Sequence, residues 1–290
     1  MSAPDTLSVA DVTPAAPSTI VGRLGRLAPY GPVAALMTMI GVFALTQGLT
    51  YPLLSMRLEQ QGFGADLIGL SGAMTPIGFL VGSPFTPRLA KIWGASIGLL
   101  LLILVTISII FCFVLFDNFV LWAFLRFVLG VAISGLYVIG ETGLQQIVND
   151  STRGRVMGIY NTVMIAGYAA GPMVLSIIGS KGATPFLVGV AIMAISAIPV
   201  FIFRNEIPDV EQSDNKAALK NIIKFTFYAP SIVIAVIVVG AFDNAIISLL
   251  PIFVGYYSVA ETIGMNFVAV VLLGAMLSQF VIGALADRMG

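Results

Sequence analysis

Six residues in one apolar stretch have side chains or spacing that could do chemistry: Arg126, Gly130, Ser134, Tyr137, Glu141 and Gln145. Separations of four, four, three, four and four place them along one face of a helix. An arginine or a glutamate in a hydrocarbon layer costs at least ~2.5 kcal/mol, so both must look toward protein or a water-filled cavity. Fifteen residues separate the two charges, about 22 Å of helix rise, and they cannot neutralise each other directly. Arg126 therefore needs an anionic group, on a ligand or on another helix, unless it snorkels to the interface. Glu141 needs a proton or a cation; near the end of its stretch it also has a plain structural option, pairing with Arg153 or Arg155.

Other polar residues recur in mid-stretch. Gln47 and Tyr51 lie four apart, beside Thr46 and Thr50, and Asp243 stands next to Asn244 with Ser248 four further on. An acid at such a position is a candidate to bind a cation or carry a proton. Asn161 and Tyr168, seven apart, are expected on one face toward the same cavity; for each neutral residue an ordinary interhelical hydrogen bond is the alternative.

These residues are carried by a chain too apolar for water. Hydrophobic residues make up 58% of the 290, charged residues 10%, and mean hydropathy is +1.02. Soluble domains run near 45–50% apolar and ~25% charged, so the chain belongs in a bilayer. A membrane helix needs about 20 mostly apolar residues. Eight stretches qualify: 32–54, 66–85, 95–116, 118–148, 156–179, 184–203, 230–256 and 261–286. Net charge is zero, which argues against nucleic acid. There is no histidine, and the single Cys112 lies in an apolar run, so no intrachain disulfide forms and neither a metal nor a cofactor is expected. No Gly-x-x-x-x-Gly-Lys-Ser/Thr run or catalytic constellation appears, so the chain reads as a non-enzyme.

Basic residues set the orientation. With the N-terminus inside, the inner segments hold Arg23, Arg26, Arg88, Lys91, Arg153, Arg155, Arg204, Lys216, Lys220, Lys224 and Arg288, and the outer loops only Arg57 and Lys181. Residues 1–30 read as a flexible tail and residues 31–204 as a six-helix bundle. Residues 205–229 read as a linker whose Lys216, Lys220 and Lys224 form the polar face of a surface helix, or else as a plain solvated linker. Residues 230–290 begin a repeat. Gly41, Phe43 and Pro52 return at the same offsets as Gly240, Phe242 and Pro251. The turn carrying Arg88, Lys91 and Gly94 returns as Leu285-Ala286-Asp287-Arg288-Met289-Gly290. Parallel repeats of membrane helices are one way transporters are built.

Gly283, Asp287, Arg288 and Gly290 match a loop signature, Gly-x-x-x-Asp-Arg-x-Gly, of the major facilitator superfamily, which this chain resembles. Arg126-x-x-x-Gly130 is similar to the family's fourth-helix motif. Gly167-Tyr168-Ala169-Ala170-Gly171-Pro172 is similar to its fifth-helix motif, although glycines four apart also serve helix packing alone. The first-half loop departs from the signature, with Lys91 where the second copy has Asp287. The resemblance implies an all-α membrane protein of that fold, here a six-helix first half plus the first two helices of the second. It implies a secondary active transporter in a bacterial inner membrane, its loops around Arg88, Lys91, Gly94, Arg153 and Arg155 acting as an inward gate. It implies a small-molecule substrate, with protons as the candidate coupling ion and the bilayer as surroundings; oligomeric state stays open. The alternative is a non-transporting remnant or partner-dependent half, since the repeat logic expects about four more helices.

Overall fold

In hydrocarbon every backbone N–H and C=O must be satisfied internally, so an apolar chain of this kind is driven into helices. The computed structural model describes residues 31–209, 228, 230–255 and 261–289; in the last two helices several side chains, that of Asp243 and those of 279–289 among them, lie outside the description. The helices are α1 (Gly31–Gln60), α2 (Ala65–Gly82), α3 (Thr86–Trp93), α4 (Ala95–Leu115), α5 (Phe119–Ile147), α6 (Asp150–Ile178), α7 (Thr184–Ile202), α8 (Pro230–Gly255) and α9 (Glu261–Met289). Seven of these, all but α3 and α9, are long and apolar enough to cross a membrane, and α9 contributes a shorter apolar run over Ile263–Ala275. The protein is a multi-pass, all-helical membrane protein. Its outer surface agrees: Leu80, Val120 and Ile177 are 73%, 73% and 84% exposed, apolar side chains of the kind a membrane-spanning bundle presents outward.

The eight stretches read from the sequence fall on eight long helices, with three differences. The charged turn over residues 88–94 is instead mostly helical. It forms α3, started by Pro87, whose fixed φ and missing N–H suit a first helical turn, and ended at Gly94, which adopts φ +77°. Arg153 and Arg155 lie in the opening turns of α6 rather than in a loop, and Arg57 lies in the last turn of α1. In both cases neighbouring residues continue the backbone hydrogen-bond ladder past the apolar run, which a hydropathy reading cannot see. The predicted surface helix in the linker falls on residues 210–227, outside the described residues. Of the second-copy loop, Gly283, Asp287 and Arg288 occur in the helical backbone of α9, their surroundings and Gly290 itself lying outside the description. The repeat persists in the backbone: Pro52 falls 21 residues after Gly31 in α1, and Pro251 falls 21 residues after Pro230 in α8.

Two crossings are built on glycine. Where α1 meets α6, a Cβ on Gly171 would lie 2.3 Å from the Gly48 carbonyl carbon, one on Gly167 2.5 Å from the Gly41 oxygen, and one on Gly48 2.2 Å from the Tyr168 oxygen. Where α2 meets α5, a Cβ on Gly130 would lie 2.0 Å from the Thr75 oxygen, and one on Gly78 2.0 Å from the Phe127 oxygen. No side chain fits at such separations, so backbone packs on backbone and dispersion holds the pairs. Around them α4 packs on α5 and α7, α6 on α9, and α8 on α2 and α9. Phe113, Trp122 and Phe186 cluster with centroids 5.4–6.3 Å apart, and the Trp122 indole donates to the Phe116 carbonyl. Gln60 Nε2 donates to Ser180 Oγ at 2.8 Å, and Gln61 Nε2 to Asp117 Oδ1 at 2.6 Å, tying the end of α1 to two turns.

At the opposite end of the bundle, the segment after α7 folds back. Asp209 Oδ1 accepts from the Ala95 N–H, the first residue of α4, at 2.9 Å, and Ser96 Oγ donates to the Arg204 carbonyl at 2.5 Å. Ile207 is buried and approaches Gly143 of α5. The sequence put no carboxylate in the first-half turn, where Lys91 stands; the segment after α7 supplies one from a distance.

Gly171→Leu should lower stability by at least ~1–3 kcal/mol, seen as a drop in thermal midpoint, because four carbons must displace the Gly48 backbone; an unchanged midpoint would refute the contact. Asp209→Ala should cost ~1 kcal/mol, while Asp209→Asn, whose oxygen caps as well, should cost a fraction of that. Equal losses would show that the Ala95 bond is not what stabilises this end.

Candidate functional site

The glycine crossings set four side chains at one depth. Tyr51 lies nine residues before the end of α1, Tyr168 ten before the end of α6, Asn244 eleven before the end of α8, and Thr75 ten after the start of α2. At 1.5 Å per residue each is about 15 Å from the same side of the bundle, roughly half of a ~30 Å hydrocarbon core. Two cavities of about 250 and 290 Å³ open there, and Tyr51, Tyr168 and Asn244 line both. The first is completed by Thr75, Pro76, Phe79, Ile133 and Tyr137, the second by Ile165, Ile247, Leu272 and Ala275.

The walls are held rigidly. The Tyr137 ring packs edge-on against Phe43 and Phe79, at 5.5 and 5.9 Å between centroids. Its hydroxyl donates to Met164 Sδ at 2.9 Å. On α8, Ser248 Oγ donates to Asn244 Oδ1 at 3.2 Å.

Beside this space sits Arg126, 1% exposed. A Cβ on Gly72 would lie 3.5 Å from Arg126 Nη1 and 4.0 Å from Ser248 Oγ, which places the guanidinium between α2, α5 and α8. The Tyr51 hydroxyl is within its electrostatic reach. Among the described residues, Arg126 Nε and Nη2 are buried without a hydrogen-bond partner, and so are both amide atoms of Gln47, Ser71 Oγ and Thr75 Oγ1. A buried group left unpaired costs about 1–3 kcal/mol, and more if charged. Of these residues Thr75 lines the first cavity, and Arg126 lies within electrostatic reach of Tyr51, which lines both.

The expected site residues separate accordingly. Tyr51, Tyr137, Tyr168 and Asn244 meet at the cavity, with Arg126 beside it and Gln47 one turn from Tyr51 on α1. Asn161 is exposed and is not a lining residue. Asp243 is adjacent to Asn244 in the backbone of α8, with its side chain outside the description. Glu141 accepts from Gln145 Nε2 at 3.1 Å, while Arg153 pairs with Asp150 at 3.0 Å, so the Glu141–Arg153 pairing is not formed. Arg88, Lys91 and Arg155 are exposed. The α5 stripe divides its labour: Gly130 and Ser134 face the α2 crossing, where a Cβ on Gly82 would lie 2.5 Å from Ser134 Oγ, Tyr137 lines the cavity, and Arg126 is buried near Gly72 of α2. Pro172 is buried in α6 beside Gly171. Sequence reasoning missed Thr75, Phe79, Ile133 and Gly72. Ser71 and Thr75, four apart in an apolar helix, were the available signal for α2.

The sequence profile of the Major Facilitator Superfamily matches residues 36–290. The chain belongs to this superfamily. Members of the superfamily are transporters that bind small molecules, and not enzymes. The chain is similar to an uncharacterized MFS-type transporter, YfkF, of Bacillus subtilis (strain 168), 23% identical over 88% of this chain and 66% of that protein. It is also similar to an uncharacterized MFS-type transporter, YcaD, of Escherichia coli (strain SE11), 23% identical over 89% of this chain and 67% of that protein. It thus spans about two-thirds of the length of these relatives. The solved structure of a D-xylose–proton symporter shares its superfamily fold, with a TM-score of 0.63 at 14% identity over 90% of this chain and 69% of that one.

If the cavity is open to water, a cysteine at Asn244 in a Cys112→Ala background should react with a water-soluble thiol reagent, and a cysteine at Ser134, packed at the crossing, should not. Matching rates at the two positions would refute this arrangement.

Proposed function

We propose that this chain works as a secondary active transporter, moving a small solute by alternating access of a site near the middle of the bilayer. The observation that carries the reading is the Arg126 guanidinium, fully buried beside a mid-depth cavity with two of its nitrogens unpartnered among the described residues. A charge in that position needs an anion, and a substrate that brings one makes binding favourable only when it arrives. Arg126 would hold an anionic group or tune a nearby acid; Tyr51, Tyr137, Tyr168, Asn244 and Gln47 would line the solute's path. Asp243 or Glu141 would accept the coupling proton. The dry glycine crossings suit rigid units that rock around the site, with residues 31–204 as one unit and 230–290 as part of the second, joined by 205–229. The turns at Arg88, Lys91, Gly94, Arg153 and Arg155, and at Asp287 and Arg288 with Gly283 and Gly290, would gate the inner side. The charge bias along the chain supports a cytoplasmic N-terminus in a bacterial inner membrane.

In proteoliposomes driven by a pH gradient and offered radiolabelled sugars, amino acids and organic acids, accumulation of at least one solute is expected. Arg126→Ala should abolish it while leaving membrane insertion intact; normal uptake by that variant would make the arginine structural. Asp243→Asn should remove pH-driven accumulation but keep solute exchange, and an unchanged pH response would exclude Asp243 as the proton acceptor.

A further inference from the structure

We infer that the solute is a small organic anion with a flat apolar body, its carboxylate on the buried, unpartnered Nε–Nη2 edge of Arg126 and its ring against Tyr51, Tyr137, Tyr168 and Phe79. This rests on the transport reading above and names the substrate class of the same site. The first argument is geometric. The unpartnered nitrogens of Arg126 are Nε and Nη2, which present their N–H bonds side by side along one edge of the guanidinium. That edge matches the two oxygens of a carboxylate in a bidentate pair. Among the described residues Arg126 makes no salt bridge, which leaves this edge for a ligand.

The second argument is the wall chemistry. Three phenol rings, a phenyl ring, Pro76 and Ile133 surround the first cavity, and Thr75 and Asn244 are its other polar side chains. The ring of Tyr137 is fixed by its two edge-on aromatic neighbours. Flat, rigid, largely apolar walls favour a planar body and offer few fixed partners for a ring of hydroxyls. The third argument is size. Cavities of about 250 and 290 Å³ hold one small molecule, at or below the lower end of the usual ligand-site range of ~300–1,000 Å³. A neutral solute of that size would leave the guanidinium unpaired in a low-dielectric site, and a cation would be repelled by it.

The test compares four probes on the purified chain in lipid nanodiscs by calorimetry: benzoate, its neutral isostere benzamide, acetate and D-xylose. Benzoate should bind saturably at millimolar concentration or below. Benzamide, lacking the charge, and acetate, lacking the ring, should each bind about tenfold or more weakly. Arg126→Gln should weaken benzoate about ten- to a hundredfold and erase its advantage over benzamide. Benzamide or D-xylose binding as tightly as benzoate would overturn the proposal, as would unchanged benzoate binding by Arg126→Gln or no saturable benzoate binding at all. The four-probe comparison on the unaltered chain decides the matter even if the variant does not fold. Counterflow of labelled benzoate in proteoliposomes separates the two readings: binding without counterflow supports the anion site and overturns transport.

Discussion

Backbone contact between helices is the constraint on which everything else in this molecule depends. Inside a bilayer there is no hydrophobic force to press one apolar helix on another, so association rests on close packing. Gly48, Gly167 and Gly171 let α1 and α6 touch, and Gly78 and Gly130 do the same for α2 and α5. Because these contacts are backbone on backbone, they fix rotation and depth as well as proximity. Tyr51 and Tyr168 project from the flanks of one crossing, and Thr75 and Ile133 from the flanks of the other. The cavity is the space that four helices cannot fill once they are locked at those two places.

Into that frame the protein puts a charge that no described side chain neutralises. A structural arginine in a membrane protein would be expected to meet a carboxylate or a row of carbonyls. Among the described residues Arg126 instead meets Gly72 and the Tyr51 hydroxyl, and its Nε and Nη2 stay unpartnered. The stability the glycine crossings provide is what makes such a group tolerable. The same logic explains why Gly130 and Ser134 share a helical face with Arg126 yet do different work: the crossing uses the middle of the stripe and leaves its flanks to the cavity.

The ends of the helices show how one function can be met by different parts of the chain. The first-half turn has Lys91 where its repeat has Asp287, yet the start of α4 is capped by a carboxylate all the same. Asp209 reaches it from the segment after α7, and Ile207 is buried on the way. That contact joins residues 114 positions apart in the chain.

The amino-acid sequence alone determined the material and the count: eight long apolar stretches, the repeat of Gly41, Phe43 and Pro52 at Gly240, Phe242 and Pro251, and the family motifs at Arg126, Gly130, Gly167 and Gly171. These are legible because helix length in lipid and glycine spacing are one-dimensional properties. Helix ends were less legible: the turn at Arg88 proved to be α3, and Arg153 and Arg155 belong to α6, because hydrogen bonding continues where hydropathy stops. Only the tertiary structure decided which polar residues meet. Periodicity fixes the angle of a side chain around its own helix but not the partner helix across from it. Asn161 and Tyr168 therefore looked equivalent in sequence, while the α1–α6 crossing delivers Tyr168 to the cavity and leaves Asn161 exposed. Thr75, Phe79 and Gly72 gave no strong signal alone, since each acts only through what α5 brings opposite to it.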